Sequence, residues 1–165
     1  LGLVQFDAHQ DTWPDKPDSI SHGSFVLRAV REGLIDPKRS IQVGIRTVAP
    51  EDCGIEIIRA DAFDGLGAKG VIAAIRKRVG RKPAYFTFDI DCLDPAFAPG
   101  TGTPVAGGLS SREALAVIRG LGGGDFVGGD VVEVAPAYDH ADITAIAAST
   151  VALYYLGLFA ERRRR

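Results

Sequence analysis

Two apolar runs in this chain end in acidic motifs, and this pairing constrains the fold more than any other feature. Residues 1–6 are apolar apart from Gln5 and lead into Phe6-Asp7-Ala8-His9-Gln10-Asp11, while residues 84–90 lead into Phe88-Asp89-Ile90-Asp91. Short apolar runs of this kind read as buried strands. Four carboxylates and one imidazole therefore gather at the tips of two strands, which is costly unless something positive sits among them. Nothing cationic lies within either motif. A cluster of divalent metal ions is the economical explanation.

The rest of the chain supplies the frame for these two strands. Further strands are expected at 40–45, where apolar residues alternate, at 56–59 and at 126–134, the last read as buried. Helices are expected at 25–32 with Gly33 closing the end, at 66–79 with Gly80 following, at 110–121 and at 141–159. Ser110 and Glu113 stand at capping-box spacing, and Gly122–Gly124 ends that third helix. Residues 11–21, with Pro14 and Pro17, and the Gly- and Pro-rich 96–109 read as loops. Strands alternating with helices give an α/β fold, a mainly parallel sheet between helices. In such sheets ligands bind beyond the carboxyl ends of the strands, where the acidic motifs fall.

At 165 residues the chain suits a single domain, 1–165. A net charge of −2 gives no pull toward nucleic acid or membrane. Cys53 and Cys92 form no close pair, there is no signal peptide, and no apolar run is read as approaching membrane-spanning length, so cytoplasm is the expected location. The Arg162–Arg165 run reads as a solvated terminus. The chain holds no methionine and begins at Leu1 inside an apolar run, which reads as the C-terminal part of a longer protein.

On a strand, side chains at i and i+2 share a face, so Asp7 pairs with His9 and Asp89 with Asp91. Asp11 lies just beyond the first strand and can curl back to the same place. Hard oxygen ligands with one imidazole suit Mn²⁺ better than a thiolate-type zinc site. The set is rich enough for two ions about 3.5–4 Å apart, which implies hydrolysis by an activated water. Asp94, next to Pro95, is expected to support the turn. His22, in Ser21-His22-Gly23-Ser24 on the loop leaving the motif, reads as a general acid or proton shuttle. His140 reads as a surface or supporting residue. Glu133, in the apolar Val131-Val132-Glu133-Val134, either pairs with an internal cation or reaches the site mouth to bind a cationic substrate.

These segments resemble the ureohydrolase family, which includes arginases and agmatinases. The resemblance rests on Phe6–Asp11 and on Thr87–Gly100, supported by Ser21-His22-Gly23, Gly33–Pro37, Gly44-Ile45-Arg46-Thr47 and Asp130–Asp139. It implies a three-layer arginase-type fold with a binuclear Mn²⁺ site. Asp7 and Asp89 match bridging carboxylates, Asp11 a ligand of one metal, and His9 and Asp91 ligands of the other. His22 matches the family's proton shuttle, and Glu133 the carboxylate that grips the guanidinium group. The family's upstream Gly-Gly-Asp-His segment, whose histidine completes the first metal site, is missing from this sequence. The resemblance thus implies an incomplete metal site, part of the sheet missing, and an isolated chain with little or no activity.

Within the family, Trp13 stands where arginases carry a polar asparagine, and Thr47-Val48-Ala49 replaces their acidic residues. The pattern looks agmatinase-like, implying the small guanidino substrate agmatine, with putrescine and urea as products, in a homo-oligomer. Hydrolases of guanidinobutyrate, guanidinopropionate or another guanidino acid share much of it. Arginase, a zinc deacetylase and a non-catalytic relative are the remaining alternatives. Trp13, Asp15 and Asp18 are candidates for the substrate's far end by loop position alone.

Overall fold

The computed structural model describes residues 1–16 and 19–162. Its centre is a five-stranded sheet built from β1 (Gly2–Phe6), β2 (Ile41–Ile45), β3 (Glu56–Arg59), β4 (Ala84–Asp89) and β5 (Phe126–Val132), in the order β3-β2-β1-β4-β5. Every neighbouring pair is parallel. The two strands that carry the acidic motifs, β1 and β4, are central neighbours, with Phe6 beside Phe88. Both strands therefore end at the same level, and the motifs emerge side by side.

Four helices cover the sheet: α1 (Phe25–Arg31), α2 (Phe63–Val79), α3 (Ser111–Gly120) and α4 (Ile143–Arg162). Val4, Phe6, Ile41, Val43, Phe86 and Phe88 point to the face shared by α2, α3 and α4 and form the main core with Val71, Ile75, Val117 and Tyr155. Phe6 stacks on Phe88 at 5.4 Å and meets Phe86 edge-on. On the other face Leu3 packs with Val26 of α1, Ile35 and Ile55. That face also carries a polar row at one register level, because Gln42 pairs with Gln5, Gln5 with Thr87, and Thr87 with Asp130.

Several expectations are refined. Every residue of β2 is buried, so its alternation does not mark a solvent face. β5 lies at the sheet edge and is only partly covered. α2 starts at Phe63 rather than Leu66, with a break at Gly67, whose φ of 57° suits a residue without Cβ. The Ser110–Glu113 capping box forms as expected. Cys53 and Cys92 are both free. One expectation is corrected: 143–161 is a 19-residue apolar stretch of mean hydropathy 1.7, long and apolar enough to cross a membrane. In the fold its Val151, Tyr155 and Leu158 are committed to the core, while Ile146, Leu153 and Leu156 stay exposed.

Candidate metal and substrate site

The two motifs converge by local turns rather than by strand alternation. β1 ends at Phe6, and Asp7 makes its last ladder bond to Val43 O. Asp7 Oδ1 then accepts the His9 backbone N–H at 2.6 Å, and in the second motif Asp89 Oδ1 accepts that of Asp91 at 2.9 Å. Each is a carboxylate bonded to the amide two residues on, a turn that Asp forms readily. The motifs are tied together across 83 residues, because Ala8 N–H donates to Asp91 Oδ1 at 3.0 Å. His9 Nδ1 sits 3.0 Å from Asp91 Oδ2 and 3.4 Å from Asp7 Oδ1. Ligand atoms of Asp7, His9 and Asp91 all lie within 4.8 Å of one another.

Asp11 reaches the same place through a left-handed backbone, φ 52°. Its carboxylate shares a donor with Asp7: Gln5 Nε2 donates to Asp7 Oδ2 at 2.7 Å and to Asp11 Oδ2 at 3.1 Å. Behind it, Gln42 Nε2 donates to Gln5 Oε1 at 2.7 Å and to Gln10 O at 2.6 Å. Thr103 Oγ1 approaches Asp91 Oδ2 at 3.3 Å.

The electrostatics match the crowding. Burial, with Asp7 nearby, pushes Asp11 up to about 9, and burial with Asp7 and Asp91 pushes Asp89 up to about 10. Burial also raises Asp7, against the opposing hydrogen bond with His9. Burial pushes Asp91 upward as well, but hydrogen bonds from His9 and the Ala8 amide outweigh it and hold Asp91 low. His9, bonded to Asp7 and Asp91, is raised to about 10. Four buried carboxylates thus share one imidazole as their cationic partner, and a donor set of this composition fits hard divalent cations.

A cavity of about 490 Å³ opens over these groups. His9, Asp11 and Asp89 form its floor, Trp13, Phe25 and Val132 its apolar side, and His22 and Glu133 stand at its edge; no lysine or arginine is among the described residues lining it. The side chain of His22 is 74% exposed, with Nδ1 3.5 Å from Glu133 Oε1. Glu133 is not inside the strand, as its sequence context implied. β5 stops at Val132, and a φ of 63° turns Glu133 out into the cavity, so it has no need of an internal cation. Asp15 bonds Ser24 and borders a separate small cavity, Trp13 does line the site, and Asp18 and Arg163–Arg165 lie outside the described residues. His140 is exposed.

Asp94 supports its turn as expected, accepting from Ala96, Gly107 and Gly108 N–H. Sequence reasoning gave no role to Gln42, Arg46, Thr103 or Asp130. Arg46 donates to the carbonyls of Gly44, Cys92, Asp91 and Val105, joining β2 to the second motif and the 96–109 loop. Asp130 accepts from Thr87 Oγ1 at 2.6 Å and Tyr85 OH at 2.9 Å. A polar residue within an apolar strand was the available signal for Gln42, as it was for Gln5.

Comparison with known proteins agrees with this geometry. The Arginase family model matches residues 1–157. An agmatinase of Chromobacterium violaceum is 54% identical over 164 residues, covering 99% of this chain and 51% of that protein. The crystal structure of a hypothetical agmatinase from Burkholderia thailandensis superposes with a TM-score of 0.97 at 58% identity, covering 100% of this chain and 53% of that one. Proclavaminate amidino hydrolase from Streptomyces clavuligerus superposes at 0.94 with 44% identity, covering 98% of this chain and 56% of its own. The chain thus spans about half the length of the relatives it matches. With the family model matching nearly its whole length, the chain belongs to the Arginase family.

Proposed function

We propose that this chain carries the metal ligands and substrate groups of a manganese-dependent amidinohydrolase, hydrolysing agmatine to putrescine and urea. The observation that carries the reading is the convergence of Asp7, His9 and Asp91 at the floor of an acidic cavity, with Asp11 and Asp89 beside them. Asp7, His9, Asp11, Asp89 and Asp91 would hold two Mn²⁺ ions. When bound, such a pair supplies Lewis-acid activation of water at neutral pH.

The chain's own groups do the rest. Glu133 accepts the guanidinium N–H groups and sets the guanidinium carbon over the cavity floor, a charge-assisted contact suited to a planar cation. Asp89, whose carboxylate lines the cavity, takes up the proton released when water adds to that carbon. His22, exposed and beside Glu133, delivers a proton to the leaving amine or relays one to solvent. A lining without lysine or arginine among the described residues favours a substrate whose far end carries no carboxylate. Family resemblance adds a homo-oligomer to this reading, and the cytoplasm stays its expected location.

Urea release from agmatine, arginine, guanidinobutyrate and guanidinopropionate by the Mn²⁺-loaded whole protein tests this. Preference for agmatine is expected. Urea from a guanidino acid instead would retain the site and overturn the substrate. No urea from any of them, with metal bound, would overturn the reaction. Asp89→Asn should abolish turnover and weaken metal binding.

A further inference from the structure

We propose that Gln5 is a positioning residue for the metal ligands, and that Gln42 sets the direction in which it points. The inference rests on the metal reading above and concerns two residues outside the ligand set. Gln5 is fully buried, and its single amide nitrogen donates to both Asp7 and Asp11. An amide nitrogen has two hydrogens, so this one group fixes the separation of two carboxylates. It engages one oxygen, Oδ2, of each.

The direction of this donation is not left open. Were the Gln5 amide turned over, its oxygen would face two carboxylates. Gln42 prevents this by giving one hydrogen to Gln5 Oε1 and the other to Gln10 O. Turning Gln42 over would set its own oxygen against those same two acceptors, so its orientation is fixed as well. The consequence is visible in the structure: Gln42 Oε1 is buried with no hydrogen-bond partner among the described residues. A buried unsatisfied carbonyl is unfavourable, and hydrophobic residues of the same shape avoid it. The chain nevertheless keeps an amide there, at the one position that locks Gln5 toward the ligands.

The lock and the fold can be separated by experiment. Gln42→Met removes both the orphan oxygen and the two donors. Loss of those donors leaves Gln5 Oε1 and Gln10 O unpaired in the interior, so thermal stability should fall while the protein stays folded, and Mn²⁺, titrated calorimetrically into the metal-stripped whole protein, should bind with a higher Kd. Gln5→Leu should weaken Mn²⁺ binding by about tenfold or more, the range found for residues that orient ligands. The double variant should bind as Gln5→Leu alone does if Gln42 acts through Gln5 rather than through its second bond, to Gln10 O. Unchanged Mn²⁺ affinity in a folded Gln42→Met protein would overturn the inference and leave the proposed function standing. Additive losses in the double variant would overturn the link between the two glutamines. A wild-type protein that binds no Mn²⁺ would overturn the metal reading together with the inference.

Discussion

Replacing Arg46 by alanine should cost about 4 kcal/mol of folding stability. Arg46 is half-buried, and burial pushes its pKa below the usual guanidinium range. Its four shortest hydrogen bonds run from Nη1 to Gly44 O at 2.9 Å and Cys92 O at 3.1 Å, and from Nη2 to Asp91 O at 2.7 Å and Val105 O at 2.6 Å. Nε is buried with no partner among the described residues, so the guanidinium is already used less than fully. Truncation removes four hydrogen bonds, each worth about 1 kcal/mol net, which gives the sum, although Cys92 O keeps the Leu109 amide as a partner. Lysine keeps the charge but gathers its donors at one point, so it cannot span carbonyls of three segments. If it recovers about two of the four bonds, Arg46→Lys should lose about 2 kcal/mol. Urea denaturation at neutral pH, read by the midpoint at constant slope, measures both. A loss below about 1 kcal/mol in Arg46→Ala, or no difference between the two variants, would refute the view that Arg46 holds the second motif by its fork of donors.

Other predictions follow from single contacts. A Cβ on Gly108 would lie 2.5 Å from Asp94 N and 2.6 Å from Leu93 C, so Gly108→Ala should lose at least about 2 kcal/mol in thermal unfolding. Gly157 in α4 has nothing within 4 Å of such an atom, and Gly157→Ala should stabilise by up to about 1 kcal/mol. Asp94 is held low chiefly by hydrogen bonds from the backbone N–H groups of Ala96, Gly107 and Gly108. A depressed carboxylate contributes stability above its unfolded pKa of about 3.9 and loses it as pH falls through the lower folded value, so the stability gap between wild type and Asp94→Asn should close on acidification. Glu133→Gln should raise KM for the guanidino substrate while Mn²⁺ affinity holds, because Glu133 stands at the cavity edge, outside the Asp7-His9-Asp91 group.

Much of this architecture was legible in the sequence because it depends on local pattern. All five strands and four helices fall near where apolar runs, caps and glycines place them, and for the central strands β1 and β4 burial on both faces leaves a continuous apolar run. The start of α2 was missed because Gly65, Gly67 and Gly70 dilute its helical signal. The five ligand candidates were legible as types, but the manner of their meeting was not. Alternation along a strand was the wrong reason, and the repeated carboxylate-to-amide turn at Asp7 and Asp89 was the right one. Glu133 was placed inside β5 because nothing in its neighbours announces a positive φ. Arg46 was invisible for a different reason: its partners are backbone carbonyls from three segments, and carbonyls leave no trace in residue identity.

The tie from Ala8 to Asp91 also bears on how the chain reaches its native state. The two halves of the site are joined only when β1 and β4 lie side by side in the correct register, at the centre of the sheet. A slip of one residue would carry Ala8 out of reach of Asp91 and break the tie. An ion that needs both motifs would therefore reward only correctly registered chains, by mass action worth about 2.7 kcal/mol at a hundredfold excess over Kd. Metal binding at such a site would thus add its free energy to the correctly registered sheet alone.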